Sequence, residues 1–198
     1  MLILLSTLAM AADKEFAVEA VVMPVAQGSG EVVGLYGATP MAGLRVGWPV
    51  HKNVAILGTL EHGARGASVD VGDGSFTSGM DAAWWGTVLG AGVKVNYDVA
   101  KWFEVYGTAQ ALGVHQLVRI DDDGDVDDNL TQVEAGGLTG GATGSAGVSF
   151  RIPFGKTGVS LAFTGELGYL WTAPDQIGDM GPIQLSGVTG RVGTGLRF

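Results

Sequence analysis

The sequence predicts an all-β fold, an eight-stranded antiparallel up-and-down transmembrane barrel with its termini on one side. Three observations carry this. The 198-residue chain is 46% hydrophobic with a mean hydropathy of +0.30. Yet no stretch after the first dozen residues holds the eighteen apolar residues that a membrane-crossing helix needs. From Glu15 onward apolar and polar side chains alternate with a period of two, the mark of a strand with two different faces. The 34 glycines are too many for a helical bundle and lack a collagen period.

The start, MLILLSTLAMAADKE, is read as a signal peptide over residues 1–11. Leu2 to Leu8 is a short apolar core, and Ala9-Met10-Ala11 is a small-residue cleavage site, although the usual basic n-region is missing. A buried strand is the competing reading. Residues 12–198 then form the barrel. With no cysteine, disulfides, thiol catalysis, cysteine metal sites and an N-terminal lipid anchor are excluded.

The eight strands follow in order. Segment 15–25 sets Phe16, Val18, Ala20 and Val22 against Glu15, Ala17 and Glu19. Segment 39–49 sets Ala42, Leu44, Val46 and Trp48 against Thr39, Gly43, Arg45 and Gly47. Segment 54–65 sets Val54, Ile56, Gly58 and Leu60 against Thr59, Glu61 and Arg65. Segment 83–97 sets Trp85, Leu89, Ala91, Val93 and Val95 against Gly90, Gly92, Lys94 and Asn96. Segment 102–119 sets Phe103, Val105, Ala109 and Ala111 against Glu104, Tyr106, Thr108 and Gln110. Segment 139–153 sets Ala142, Ala146, Val148, Phe150 and Ile152 against Thr143, Ser145, Ser149 and Arg151. Segment 159–172 sets Val159, Leu161, Phe163, Leu167, Tyr169 and Trp171 against Ser160, Thr164 and Glu166. Segment 187–198 closes the series.

Short turns (PVHKN, DVAK, PFGKTG) alternate with longer polar segments, as in chains that thread a bilayer with strands. The polar face collects Glu15, Glu19, Glu61, Glu104 and Glu166 with Arg45, Arg65, Lys94, Arg151, Arg191 and Arg197. Five acids against six bases in a narrow interior must pair, because isolated buried charges are costly. The other face carries essentially no formal charge, as a lipid-facing wall requires. Trp48, Tyr97, Phe103 and Phe150 near the short turns, and Trp85, Tyr169 and Trp171 near the long loops, read as two interfacial girdles. Ordinary core aromatics would not leave the middle of that face to Val, Leu, Ala and Gly. Inward glycines are read either as water-filled pockets or as relief in a tightly curved sheet.

The final stretch GRVGTGLRF resembles the C-terminal assembly signal of bacterial outer-membrane barrels: Arg191, Gly193, Leu196 and the terminal Phe198, with Leu196 in place of the commoner aromatic. By architecture the chain is similar to the eight-stranded single-barrel families of the OmpX-like and OmpA-like transmembrane type. The resemblance implies a bacterial outer-membrane location, lipids and lipopolysaccharide around the wall, the barrel-assembly machinery as a partner, and no cofactor. A monomer is expected, since a closed barrel needs no partner.

The loop DDDGDVDDN is a candidate cation site, with Asp121, Asp123, Asp125, Asp127 and Asp128 as hard-oxygen ligands. Its Gly124 precedes Asp125 instead of following the third acid, and no Glu stands at the twelfth position. A solvated acidic loop fits as well. The formal net charge of −9 then lies mostly outside the near-neutral interior, which excludes nucleic acid as a partner.

Three function classes remain. A structural or surface-interaction barrel is favoured. A narrow channel is the alternative, although eight strands leave an interior only wide enough for side chains. A lipid A-modifying enzyme would need a His beside a Ser and a carboxylate. His51 falls in a short turn, His115 lacks a neighbouring Ser, and His62 and His115 are expected near the long-loop interface.

Overall fold

The computed structural model describes residues 15–27, 37–72, 77–122, 133–155, 157–176 and 182–198. Side chains of 15–38, 67–82, 120–135 and 176–183 lie outside the described residues. The strands are β1 (Glu15–Gln27), β2 (Gly37–His51), β3 (Val54–Gly72), β4 (Thr77–Ala100), β5 (Phe103–Asp122), β6 (Val133–Pro153), β7 (Ser160–Thr172), β8 (Asp175–Gln176), β9 (Pro182–Gln184) and β10 (Ser186–Arg197). Seven long strands and β10 form the wall. Neighbours in sequence pair antiparallel, and β10 pairs with both β7 and β1, so the sheet closes without an edge.

Register fixes the barrel's geometry. From Glu15 on β1 the pairing runs through Gly47, Leu57, Gly92, Gln110, Thr143 and Leu170 to Gly187 on β10. Glu15 itself pairs with Arg197, a stagger of ten residues on closing. Over eight strands, at about 3.3 Å per residue and about 4.8 Å between strands, this stagger tilts the strands by about 41°. Each residue then climbs about 2.5 Å along the barrel axis, so the twelve steps from Trp85 to Tyr97 span about 30 Å, the thickness of bilayer hydrocarbon.

The strands run further than the alternation suggested. Residues 66–72 and 77–82, read as loop from sequence, pair in register from Gly66↔Ala83 to Gly72↔Thr77. Backbone pairing does not depend on a two-faced side-chain pattern, so the ladder continues where alternation stops. The segment after β7 also holds structure: β8 pairs with β9, and β9 extends β1 at Ala26↔Gln184 and Gln27↔Ile183. Leu185 is fully buried, and its N–H donates to Thr172 Oγ1 at 2.9 Å. This hairpin carries the wall upward beside β1, past the start of β10.

The short turns lie at the opposite end. The β6–β7 turn reverses the chain with Gly155 and Gly158 at φ 58° and 75°, a region that glycine enters without strain. Phe154 N–H donates to Val159 O at 2.8 Å across this turn.

Candidate functional site

The wall sorts its side chains by parity. On β2 the odd residues Thr39 to Gly47 are buried, while Pro40 to Trp48 are exposed. The outward series includes Leu44, Val46, Ile56, Leu89, Val93, Leu167 and Val192, all exposed. Between the aromatic girdles the described outward positions carry no Asp, Glu, Lys or Arg. Trp48, Tyr97, Phe150, Tyr169 and Trp171 are exposed; Phe103 and Trp85 are half-buried. Three aromatics not singled out above join the short-turn girdle: Trp102, Phe154 and Phe163, all exposed. Trp102 stacks on Phe150 at 6.1 Å between centroids, and Phe103 lies 5.0 Å from Phe150. Leu196 and Phe198 are exposed at the same end.

Inside, the charges gather in two clusters. Near the short turns the buried Glu104 carboxylate meets Lys94 Nζ at 3.1 Å, Arg197 at 2.6 Å and Arg151. Asn96 donates to the same carboxylate at 3.1 Å, and Arg151 also reaches Asp98 at 2.7 Å. One level up, Glu166 accepts from Arg45 at 2.9 Å, Arg191 at 3.0 Å and Ser145 at 2.6 Å. Arg191 Nε donates to Glu61 at 3.0 Å. Only the folded barrel brings these groups together: Arg45 and Glu166 are 121 residues apart, Arg191 and Glu61 130. Arg65 is half-buried on the inward face of β3. Glu15 and Glu19 stand on β1 opposite Arg197 and Gly193, but their side chains lie outside the described residues.

Above the charges the interior turns mostly apolar, with the buried Thr39 and Thr189 at the same height. Met41, Val88, Leu112, Val114 and Leu170 are buried in the layer above the Glu166 cluster. The inward face of β5 reads in this order: Glu104, Tyr106, Thr108, Gln110, then Leu112 and Val114, then Gln116 and Val118, all buried. Trp84 is buried near the long-loop end and donates from Nε1 to Gln116 Oε1 at 3.2 Å. The alternation hid this layer, because an inward valine reads as a break in a polar face. Several inward glycines make room for neighbours. A Cβ on Gly147 would lie 2.6 Å from the Tyr106 ring, one on Gly90 2.7 Å from Gln110, and one on Gly141 2.9 Å from Thr172.

The histidines divide. His51 ends β2 at a short turn. His62 and His115 point outward, on either side of Thr87 in register. His62 Nδ1 and Thr87 Oγ1 share a hydrogen bond of 2.9 Å. Among the described residues no carboxylate is seen in contact with either imidazole. In the acidic segment Asp121 falls at the end of β5 with its side chain outside the described residues, and Asp123, Asp125, Asp127 and Asp128 lie outside them altogether.

No protein-family model matches the chain, and no curated protein matches it. Solved structures do. The attachment invasion locus protein Ail of Yersinia pestis is 13% identical with a TM-score of 0.56, over 96% of this chain and 100% of that one. OprG of Pseudomonas aeruginosa is 12% identical with a TM-score of 0.57, over 95% and 96%. A major outer membrane protein of Thermus thermophilus is 15% identical with a TM-score of 0.52, over 93% and 99%. At these identities the likeness is one of architecture: this chain has the fold of small bacterial outer-membrane β-barrels.

Proposed function

We propose that the chain is an integral outer-membrane barrel of a Gram-negative bacterium with a structural and surface-interaction role, and that its interior is plugged. The observation that carries the plug is the apolar layer of Met41, Val88, Leu112, Val114 and Leu170 above two charge clusters. An ion crossing that layer would shed much of its hydration among mostly apolar side chains, at a cost of several kcal/mol. The outer wall supports the membrane reading. Its exposed apolar belt is about as tall as bilayer hydrocarbon, and in water it would be a large sticky surface. The long loops then face the cell exterior and do the contacting, with lipopolysaccharide and divalent cations as the partners that suit acidic segments. On this reading the chain is a monomer without cofactor, inserted by the barrel-assembly machinery. No catalysis is assigned to it.

Planar-bilayer recording of the refolded protein tests the plug. No steady conductance is expected, and a large open-channel current would sink it. A narrow channel is the second reading. It is favoured by Glu61 Oε2, Gln110 Nε2 and Gln116 Nε2, which are buried without a protein partner among the described residues. Such groups call for water, and a wet path past the apolar layer would show as small discrete current steps.

A further inference from the structure

Polar side chains are rare on the described outward face between the girdles, and three of them adjoin. His62 on β3, Thr87 on β4 and His115 on β5 occupy successive register positions. With the strand tilt, the row climbs across the long-loop end of the belt, one outward step below Trp85 on β4. Towards the bilayer centre the next outward residues are Leu60, Leu89 and Gly113, and Gly113 has open space over it. Above stands Leu117, then Arg119. A polar row sandwiched between a greasy slope and an aqueous rim has the profile of an amphiphile turned sideways.

We infer that this row binds the phosphate group of an outer-leaflet lipid, with the acyl chains lying over Leu89 and Gly113. The inference rests on the membrane reading above. The row offers N–H and O–H donors to an acceptor-only ligand. The strands bearing the two histidines are about 9.6 Å apart, a separation that leaves room over Thr87 for a group of phosphate size between the two side chains. The His62–Thr87 bond fixes one ring through Nδ1 and, whichever tautomer makes it, leaves either the Nε2–H or the Thr87 hydroxyl proton for a ligand. Two imidazoles and a hydroxyl fall short of the three or four strong ligands of a zinc site. The charged groups nearby are Arg119 on β5 and, across from it on β6, Glu134, whose side chain is outside the described residues. β2 contributes Ala42 opposite His62, and β6 contributes Leu138 opposite His115.

The test uses the full chain in phosphatidylcholine nanodiscs and reads quenching of Trp85 by brominated lipids, its share of the signal defined with Trp85→Phe. Brominated phosphatidylcholine alone reports whether this wall faces lipid. No quenching there would defeat the membrane reading itself. Given quenching, brominated phosphatidic acid is expected to bind beside Trp85 about fivefold better than brominated phosphatidylcholine, the worth of one added hydrogen bond. The preference should fall to about unity in His62→Gln/His115→Gln and drop partly in Thr87→Val, with both variants checked for a folded, heat-shiftable band. An unchanged preference in the double variant overturns the site. Loss of the preference on adding millimolar inorganic phosphate overturns the lipid as its source.

Discussion

Replacing Glu104 by Gln removes one charge and almost no volume, which makes it a clean probe of the interior. In the native barrel that carboxylate is fully buried and faces Lys94 at 3.1 Å, Arg197 at 2.6 Å and Arg151, with Asn96 also donating to it. A neutral amide takes away the anion that three cations share, and its NH2 group points a donor at donors. Breaking a buried pair by removing one partner costs about 3–5 kcal/mol. Asp98→Asn is the built-in comparison. It also removes an Arg151 partner, but its side chain is 57% exposed, and exposed pairs contribute about 0–1 kcal/mol. Reversible urea unfolding in lipid vesicles, followed by tryptophan fluorescence, reads both. Adding Lys94→Met to Glu104→Gln should recover part of the loss, since it removes one of the cations that faced the lost charge. If Glu104→Gln and Asp98→Asn unfold at the same urea concentration, the buried cluster does not hold the barrel as argued.

Other outcomes follow from single positions. Gly147→Ala should cost about 1–3 kcal/mol because its methyl collides with the Tyr106 ring. Gly165→Ala, outward with nothing within 4 Å, should be neutral or slightly stabilising in the same unfolding assay. Val93→Arg puts a charge on the lipid face in mid-belt and should destabilise by about 2–4 kcal/mol, read as loss of the folded band in vesicles. Replacing Val88 and Val114, both fully buried, by Ser together should wet the apolar layer. Small conductance steps absent from the parent protein are then expected in planar bilayers.

Parity was the legible part of this chain. A strand between lipid and a packed lumen must alternate, and Arg45 beside Leu44, or Glu104 beside Val105, can be sorted without a structure. Trp84 and Trp85 show where sorting stops. Both rings are apolar enough for either face, and the structure buries Trp84 on Gln116 while leaving Trp85 half-buried on the wall. The layer of Val88, Leu112 and Val114 was illegible for a related reason. Apolar residues are tolerated on both faces, so period two carries no information where both sides are greasy. Cluster membership was equally out of reach. The alternation shows that Arg191 points inward, but only the ten-residue stagger sets it between Glu61 and Glu166. The extension of β3 and β4 past residue 65 pairs through its backbone without the alternation that makes a strand readable.

The central claim is a closed barrel whose outer wall is solvated by lipid. The most direct measurement is gel mobility of the detergent-extracted outer-membrane fraction in SDS, with and without boiling. A closed hydrogen-bond ladder resists SDS until heated, so a band that shifts on boiling, found in that fraction, is the predicted result. A protein recovered in the soluble periplasmic extract, with one mobility at both temperatures, would contradict the account and turn the apolar face inward.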